Sequence, residues 1–195
     1  TSPMSVLPMG KIRMPETSAK GTVDRRAKGL SMFFDTPGDG TRTLRCHMDK
    51  FGPEGALDCE ILLTEEPEES MVICTPFEKE GHFYYNQKIN CMRASGYMEY
   101  DGKRYEFHPE TDFGTLDWGR GVWTYDNTWF WGSGNTDING NSFGFNIGYG
   151  FGNTSAASEN ILFWNGKAHK LDDITFHIPE TGYTDPWKFN SSDGR

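Results

Sequence analysis

Aromatic residues and glycines alternate through residues 112–165, and this pattern constrains the fold more than any other part of the chain. Five of the six tryptophans lie in this segment. Its clearest stretch, 143–149, reads Phe-Gly-Phe-Asn-Ile-Gly-Tyr. Successive side chains of a strand point to opposite sides, so the large side chains would form one face and Gly144, Asn146 and Gly148 the other. The segment therefore predicts strands with an aromatic face.

Turn residues separate short stretches with strand periodicity along the chain. Asp101-Gly102, Asn139-Gly140 and Asn165-Gly166 are strong signals for two-residue hairpins, because both residues of such a turn need a positive φ. No long stretch repeats apolar residues at helical spacing. We therefore predict an all-β fold, an antiparallel β-sandwich or a barrel. The predicted strands cover 30–35, 44–48, 57–63, 71–76, 82–91, 94–100, 103–107, 122–133, 142–150, 159–164, 167–171, 174–178 and 187–191.

The charge of the chain excludes one class of partner. The net charge is -9, which argues against nucleic acid, since binding phosphates needs clustered Lys and Arg. The one basic cluster is short, and we expect it to form a solvated turn. It consists of Lys20, Arg25, Arg26 and Lys28. No apolar run approaches the ~20 residues that a membrane span needs, so we expect no membrane span.

The cysteines and histidines show no metal or redox spacing. No two of Cys46, Cys59, Cys74 and Cys91 form a Cys-x-x-Cys pair. Each lies among apolar strand residues, so we expect reduced thiols in the core of a cytoplasmic protein. A metal site needs three or four converging ligands, and none of the five histidines is spaced to pair with another. We predict no metal and no cofactor, and leave the oligomeric state open.

The domain organisation of the chain is inferred from one weak domain boundary and from the two ends of the sequence. We predict a first β-sheet region over 1–110 and an aromatic, glycine-rich β region over 111–195, with the weak boundary near 108–114. The sequence starts with Thr-Ser-Pro and stops just after a turn at Ser192-Asp193-Gly194. A last strand followed by such a turn would leave an unpaired edge. We therefore expect a fragment of a longer, two-barrel protein.

Long sequence motifs carry a resemblance that covers nearly the whole chain. The chain resembles domain-of-unknown-function family 2804 in the blocks TDFGTLDWGRGVWTYDNTWFWGSG and FGFNIGYGFGNTSAASENILFWNGKAHKL, and also in DTPGDGTRTLRCHMDKFGP and HFYYNQKINCMRASG. The resemblance implies a calycin/lipocalin-like partial barrel, akin to AttH, to hydroxyneurosporene synthase (carotenoid hydratase) and to tocopherol cyclase. The last two protonate or cyclise apolar polyenes. The family has no settled activity, and a shared fold does not fix a function.

The first candidate for chemistry is Asp117, which lies three residues before Arg120. This spacing allows a bidentate ion pair. One interpretation is a salt bridge that fixes a loop. In the other, Asp117 is a general acid between Trp118 and Trp123, and Arg120 orients it or binds an anionic group. Burial of a carboxyl group among aromatic rings favours its protonated form, which suits an acid.

Other candidates lie in the same segment. Glu159 is either a solvated residue at a strand entrance or the second carboxylate of an acid/base pair with Asp117; two carboxylates are also what glycoside hydrolysis requires. The glycine face around Asn146 is either a floor where a ligand approaches the backbone, or room for a neighbouring side chain while the Phe face forms the core. The predicted ligand contacts are Trp118, Arg120, Trp123, Trp131, Asn146, Tyr149 and Asn160.

Three functions are compatible with these residues. The first is an enzyme, of hydratase, cyclase or isomerase type, that acts on a small and largely apolar molecule in a β cavity with a carboxylate as general acid. The second is a lipocalin-like module that binds such a ligand without catalysis. The third is a structural β domain whose rings are core, which requires Trp118 and Trp123 both to be inaccessible. Aromatic surfaces beside a few polar groups are typical of small-molecule sites and favour the first two.

Overall fold

The computed structural model describes residues 13–53 and 55–194. The expectations for residues 1–12 lie outside this range. The described residues form strands and turns without a helix, so no helix among them is long and apolar enough to cross a membrane. The strands are β1 (Gly21–Ala27), β2 (Leu30–Thr36), β3 (Arg42–Gly52), β4 (Gly55–Thr64), β5 (Met71–Pro76), β6 (Phe83–Tyr100), β7 (Lys103–Phe107), β8 (Phe113–Val122), β9 (Phe130–Ile138), β10 (Asn141–Tyr149), β11 (Ile161–Trp164), β12 (Lys167–Lys170), β13 (Ile174–His177) and β14 (Lys188–Ser191).

Contacts between residues divide the chain into two compact units. Unit 1 contains the described residues up to Glu66 together with Met92–Gly114, and unit 2 contains Pro67–Cys91 and Thr115–Arg195. The long strand β6 contributes its first part to unit 2 and its second part to unit 1. Neither unit is a continuous stretch of chain. The boundary near 108–114 stays a prediction.

Unit 1 is an antiparallel sheet with the strand order β1-β2-β3-β4-β6-β7, in which β6 contributes its second part. The hairpin between β6 and β7 turns at Asp101-Gly102, where φ is 54° and 63°. The hairpins at Asn139-Gly140 and Asn165-Gly166, which belong to unit 2, also have positive φ at both residues. All three hairpin predictions are therefore confirmed.

Unit 2 contains the β5-β6 hairpin, the four-stranded sheet β12-β11-β10-β9, and the two-stranded sheet β13-β14. Strand β8 pairs with β6. The register pairs that join these strands are antiparallel, and the described sheets are open rather than closed into a barrel. The all-β, antiparallel prediction is confirmed, and the arrangement is consistent with a β-sandwich.

One face of the four-stranded sheet packs against β6 within unit 2. This face contains Gly144, Asn146 and Gly148, which are all buried, whereas Phe143 and Phe145 on the other face are only half-buried. A Cβ at Gly144 would lie 2.6 Å from Cys91 Sγ, which leaves no room for a larger residue. The glycine face is thus a packing surface, and Ile147 on the opposite face is buried as well.

Cys91 interrupts the regular extended backbone of strand β6. Its φ is 65°, a value that few residues with a side chain adopt. The Cys91 amide donates to a side-chain oxygen, Asn135 Oδ1 on β9, at 2.8 Å. The sequence predicted two strands here, 82–91 and 94–100, and the structure joins them into one. Cys91 is buried as expected, whereas Cys74 is exposed.

The sequence predictions missed two strands, β1 and β8, and misplaced the start of a third. The predicted strand 122–133 is wrong at its start, since β8 ends at Val122 and β9 begins only at Phe130. Strand β8 contains three glycines, which strand propensity disfavours. They serve close packing, because a Cβ at Gly121 would lie 2.1 Å from the carbonyl oxygen of Phe83 on β6. Of the basic cluster, Arg25 and Arg26 lie in strand β1, Lys20 directly precedes it, and Lys28 lies in the turn that follows it.

Candidate functional site

A lysine lies in the interior of unit 2. Lys88 lies on β6, on the face that also carries Asn86 and Asn90, and its side chain is only 4% exposed. Asn86 and Asn90 are 1% and 0% exposed. Charged groups are rarely this buried unless they are paired. The identity of the partners of Lys88 therefore decides what this region can do.

Two carboxylates surround the Lys88 ammonium group. Lys88 Nζ lies 2.6 Å from Asp117 Oδ1 on β8 and 3.7 Å from Glu159 Oε2, just before β11. Nζ also lies over the ring of Trp131, 4.8 Å from the ring centroid. The Glu159 side chain is 12% exposed and that of Asp117 is 46% exposed. Two carboxylates and one ammonium form a compact group, the charged triad, with Asp117 as its solvent-facing member.

Asn146 holds the triad in place. Its Nδ2 donates to Glu159 Oε2 at 2.9 Å and to the Glu159 carbonyl at 3.0 Å, while its Oδ1 accepts from Trp131 Nε1 at 2.8 Å. The side chain is completely buried. The neighbouring Gly148 makes room for the carboxylate, since a Cβ there would lie 2.7 Å from Glu159 Oε1. Asn146 therefore positions the triad and has no surface left for a ligand.

Tyr84 connects the triad to an aromatic surface. Burial, and then the negative charges of Asp117 and Glu159, raise the pKa of the Tyr84 hydroxyl to about 12. Its ring packs edge to face with Trp123 and Phe151, at centroid distances of 5.6 and 4.8 Å. A Cβ at position 119 would lie 2.4 Å from the hydroxyl oxygen, so the absence of a side chain at Gly119 leaves room for it. Tyr84 thus keeps its proton at neutral pH and can donate a hydrogen bond.

The aromatic surface is the wall of an open cleft of about 300 Å³. We name it the aromatic cleft; it is lined by Tyr84, Trp123, Tyr125, Asn127, Trp129 and Phe151. Trp123 and Trp129 are 49% and 52% exposed. A second and more polar cleft of about 560 Å³ shares Asn127 with it and includes Glu78 and Asp126 in its lining. Rings this exposed in one place are an uncommon surface for a folded domain and are typical of recognition sites.

The candidate residues from the sequence fall into separate groups. Asp117 and Glu159 belong to the charged triad, with Trp131 and Asn146 beside it, and Trp123 lines the aromatic cleft. The other predicted ligand contacts neither belong to the charged triad nor line the aromatic cleft. The remaining predicted ligand contacts are Trp118, Arg120, Tyr149 and Asn160.

Trp118 and Arg120 lie on the opposite face of β8 from Asp117, because side chains alternate along a strand. The Arg120 guanidinium lies 5.5 Å from the ring centroid of Trp118, and Asp117 pairs with Lys88. A spacing of three residues suits an ion pair on a helix but not on a strand, and this explains the difference from the expected Asp117–Arg120 pair.

Tyr149 and Asn160 have structural contacts. The Tyr149 ring packs against Phe130 and Phe176, on the face of β10 that points away from Asn146. Asn160 is buried; it accepts from the Gly148 amide at 2.9 Å and donates to the Asp172 carbonyl at 3.0 Å. Asn160 therefore fixes the backbone next to Glu159.

Sequence reasoning missed Lys88 and Tyr84, which connect these groups. Tyr84, Asn86, Lys88 and Asn90 occur at every second position of a predicted strand, so the alternation showed that they share a face. Polar residues at such positions usually face solvent, and only the packing of this face of β6 against the four-stranded sheet reverses this expectation.

The Tyr84 hydroxyl gives the fold a pH dependence. The pKa is 10.0 in a model peptide and about 12 here, so the folded state retains a proton that the unfolded state has lost between these values. The contribution of Tyr84 to the free energy of unfolding should therefore be fully present below pH 10 and be lost as the pH rises towards 12. We expect the free energy of unfolding of Tyr84→Phe, measured by urea unfolding, to fall less steeply over this pH range than that of wild type. Parallel curves for the two proteins would contradict this role of Tyr84.

Comparison with family models identifies the family of the chain. No three His, Cys, Asp or Glu side chains of the described residues come together in a group that could hold a metal ion. No curated protein and no solved structure matches the chain. A family model, described as Domain of unknown function (DUF2804), matches residues 1–195. The match spans the whole sequence, and the chain therefore belongs to the DUF2804 family.

Proposed function

We propose that this protein binds a small, largely apolar molecule in the aromatic cleft and acts on it with the charged triad. One observation carries the proposal. Tyr84 contributes its ring to the cleft, and the negative charges of both carboxylates of the triad contribute to the raised pKa of its hydroxyl. A molecule stacked on these rings would therefore lie close to groups that can exchange protons. Apolar walls with a few convergent polar groups are the usual form of a small-molecule site.

The proposed chemistry is a proton transfer of hydratase, cyclase or isomerase type. Asp117, as the partner of an ammonium group and partly open to solvent, is a carboxylate that can take a proton from a substrate and return it as the acid. Tyr84 keeps its own proton and stabilises developing negative charge by hydrogen bonding. Lys88 and Asn146 fix the two carboxylates. We also propose that the protein is related to the calycins and that it is cytoplasmic.

The second candidate is a binding module without catalysis. In this case the cleft has the same role, and Lys88, Asp117 and Glu159 serve only as a buried ion-pair network. The large exposed fractions of Trp123 and Trp129 favour binding over the purely structural alternative, which requires Trp123 to be inaccessible.

Substitution in the cleft tests the binding. We expect Trp123→Leu to weaken binding of N-phenyl-1-naphthylamine, a neutral and apolar fluorescent probe, by about tenfold, which corresponds to about 1.4 kcal/mol. The reason is the loss of one exposed ring from the wall. Trp164→Leu is the control, because Trp164 is also partly exposed but does not line the cleft. Equal affinity of both variants and wild type would contradict binding in this cleft.

Asp117→Asn separates an enzyme from a binding module. Native mass spectrometry of gently purified protein identifies any small molecule that it retains. We expect Asp117→Asn to bind this compound with unchanged affinity but to lose its conversion by about 100-fold or more, since a positioned acid or base contributes about that much. Unchanged conversion would contradict the role of Asp117, and an absence of conversion by wild type would favour the binding module.

A further inference from the structure

The rings of the aromatic cleft meet at steep angles instead of lying parallel. The Tyr84 ring is inclined by 87° to Trp123 and by 78° to Phe151, and Trp129 is inclined by 72° to Phe151. A flat or extended apolar ligand is best covered by rings that stack in parallel. Perpendicular rings present faces and edges to one common volume from several directions, which suits a compact, rounded group.

The charged residues that line the clefts have one sign. Two carboxylates, Glu78 and Asp126, line the polar cleft that shares Asn127 with the aromatic cleft. Among the described residues that line the two clefts there is no Lys or Arg. The nearby triad adds two carboxylates for one ammonium. The electrostatic potential at the cleft is therefore negative and disfavours an anionic ligand.

We propose that the aromatic cleft binds a small molecule that carries a quaternary ammonium group. This inference rests on the proposed function and names the ligand class of the same site. A trimethylammonium group is rounded, its methyl surface is apolar, and its positive charge is attracted to the faces of Trp and Tyr. The rings would enclose the methyl groups, and Glu78 and Asp126 would attract the cation without the need for a direct ion pair. The rest of the molecule would extend into the polar cleft.

A pair of probes of equal shape tests the charge. Choline and 3,3-dimethyl-1-butanol differ mainly in that a positively charged nitrogen replaces a neutral carbon. We expect choline to shift the indole NMR signals of Trp123 and Trp129 at about tenfold lower concentration than the neutral alcohol. The double variant Glu78→Gln/Asp126→Asn leaves every ring in place and should reduce this preference. Trp164→Leu should not change it.

The outcomes distinguish the inference from the proposed function. Preferential binding of choline that falls in the double variant supports the inference. Equal binding of the two probes overturns it and leaves the proposed function intact, as does binding of N-phenyl-1-naphthylamine without any effect of choline. Failure of all three compounds to shift either indole signal overturns both.

Discussion

Lys88→Met should destabilise the protein by about 3 kcal/mol, the largest effect that we expect from one substitution. Methionine fills a similar volume but removes the ammonium group between Asp117 and Glu159. Glu159, which is 12% exposed, then remains as a buried carboxylate near a second negative charge. Removing one partner of a buried ion pair costs about 3–5 kcal/mol, and the partial exposure of Asp117 places our value at the lower end. Urea unfolding measures the change.

Lys167 provides a matched control for Lys88. It also pairs with two carboxylates, Glu68 and Glu69, but all three side chains are largely exposed. Exposed ion pairs contribute little, so Lys167→Met should leave stability unchanged. The double variant Lys88→Met/Glu159→Gln should recover part of the loss, because it removes the uncompensated charge. Equal effects of the two lysine substitutions, or no recovery in the double variant, would show that the interior charge is not what stabilises unit 2.

Asn146→Ala should destabilise the protein by about 2–3 kcal/mol. The substitution removes the hydrogen-bond partner of Trp131 Nε1 and of Glu159, and both of these hydrogen bonds are partly buried. Each buried polar group left unsatisfied costs about 1–3 kcal/mol. The same variant should allow Glu159 to move. We therefore expect its cleft to bind N-phenyl-1-naphthylamine as wild type does, because the rings that line it are unchanged, while conversion of a retained compound falls.

Asn190→Ala is the control for Asn146, since Asn190 is exposed on β14. It should leave the unfolding free energy unchanged. If Asn146→Ala is as stable as this control, Asn146 does not hold the triad. If it loses probe binding, Asn146 contributes to the cleft itself.

Local patterns were sufficient to predict the fold class. The three Asn-Gly and Asp-Gly turns require positive φ, and the alternation along 57–63 requires a strand, so both follow from backbone sterics and side-chain periodicity. Strand β8 was missed because its glycines weaken the strand signal locally. Their purpose, the close approach of β8 to Phe83 and Tyr84, is visible only when the partner strand is known.

The candidate site was predicted in part. Polar residues are uncommon within aromatic strands, and the aromatic segment therefore indicated Asp117, Glu159 and Asn146, together with Trp131. The structure brings these four residues together. Lys88 is about thirty residues earlier in the sequence and Tyr84 is near it, so their approach to Asp117 depends on tertiary pairing. The direction in which a side chain points is also decided by tertiary packing. For this reason Asn146 could not be recognised as a positioning residue, nor Tyr149 as a residue that packs against Phe130 and Phe176.

The most direct test of the account follows one signal, the NMR resonance of Tyr84 Cζ in protein with labelled tyrosine. Our central claim is that Tyr84 joins the aromatic cleft to the charged triad. We expect this resonance to titrate with a pKa of about 12, to titrate at lower pH in Asp117→Asn, and to shift at neutral pH when N-phenyl-1-naphthylamine is added. A Tyr84 that titrates near 10.0, the value of a free tyrosine, or that responds to the probe but not to loss of the Asp117 charge, would contradict the claim.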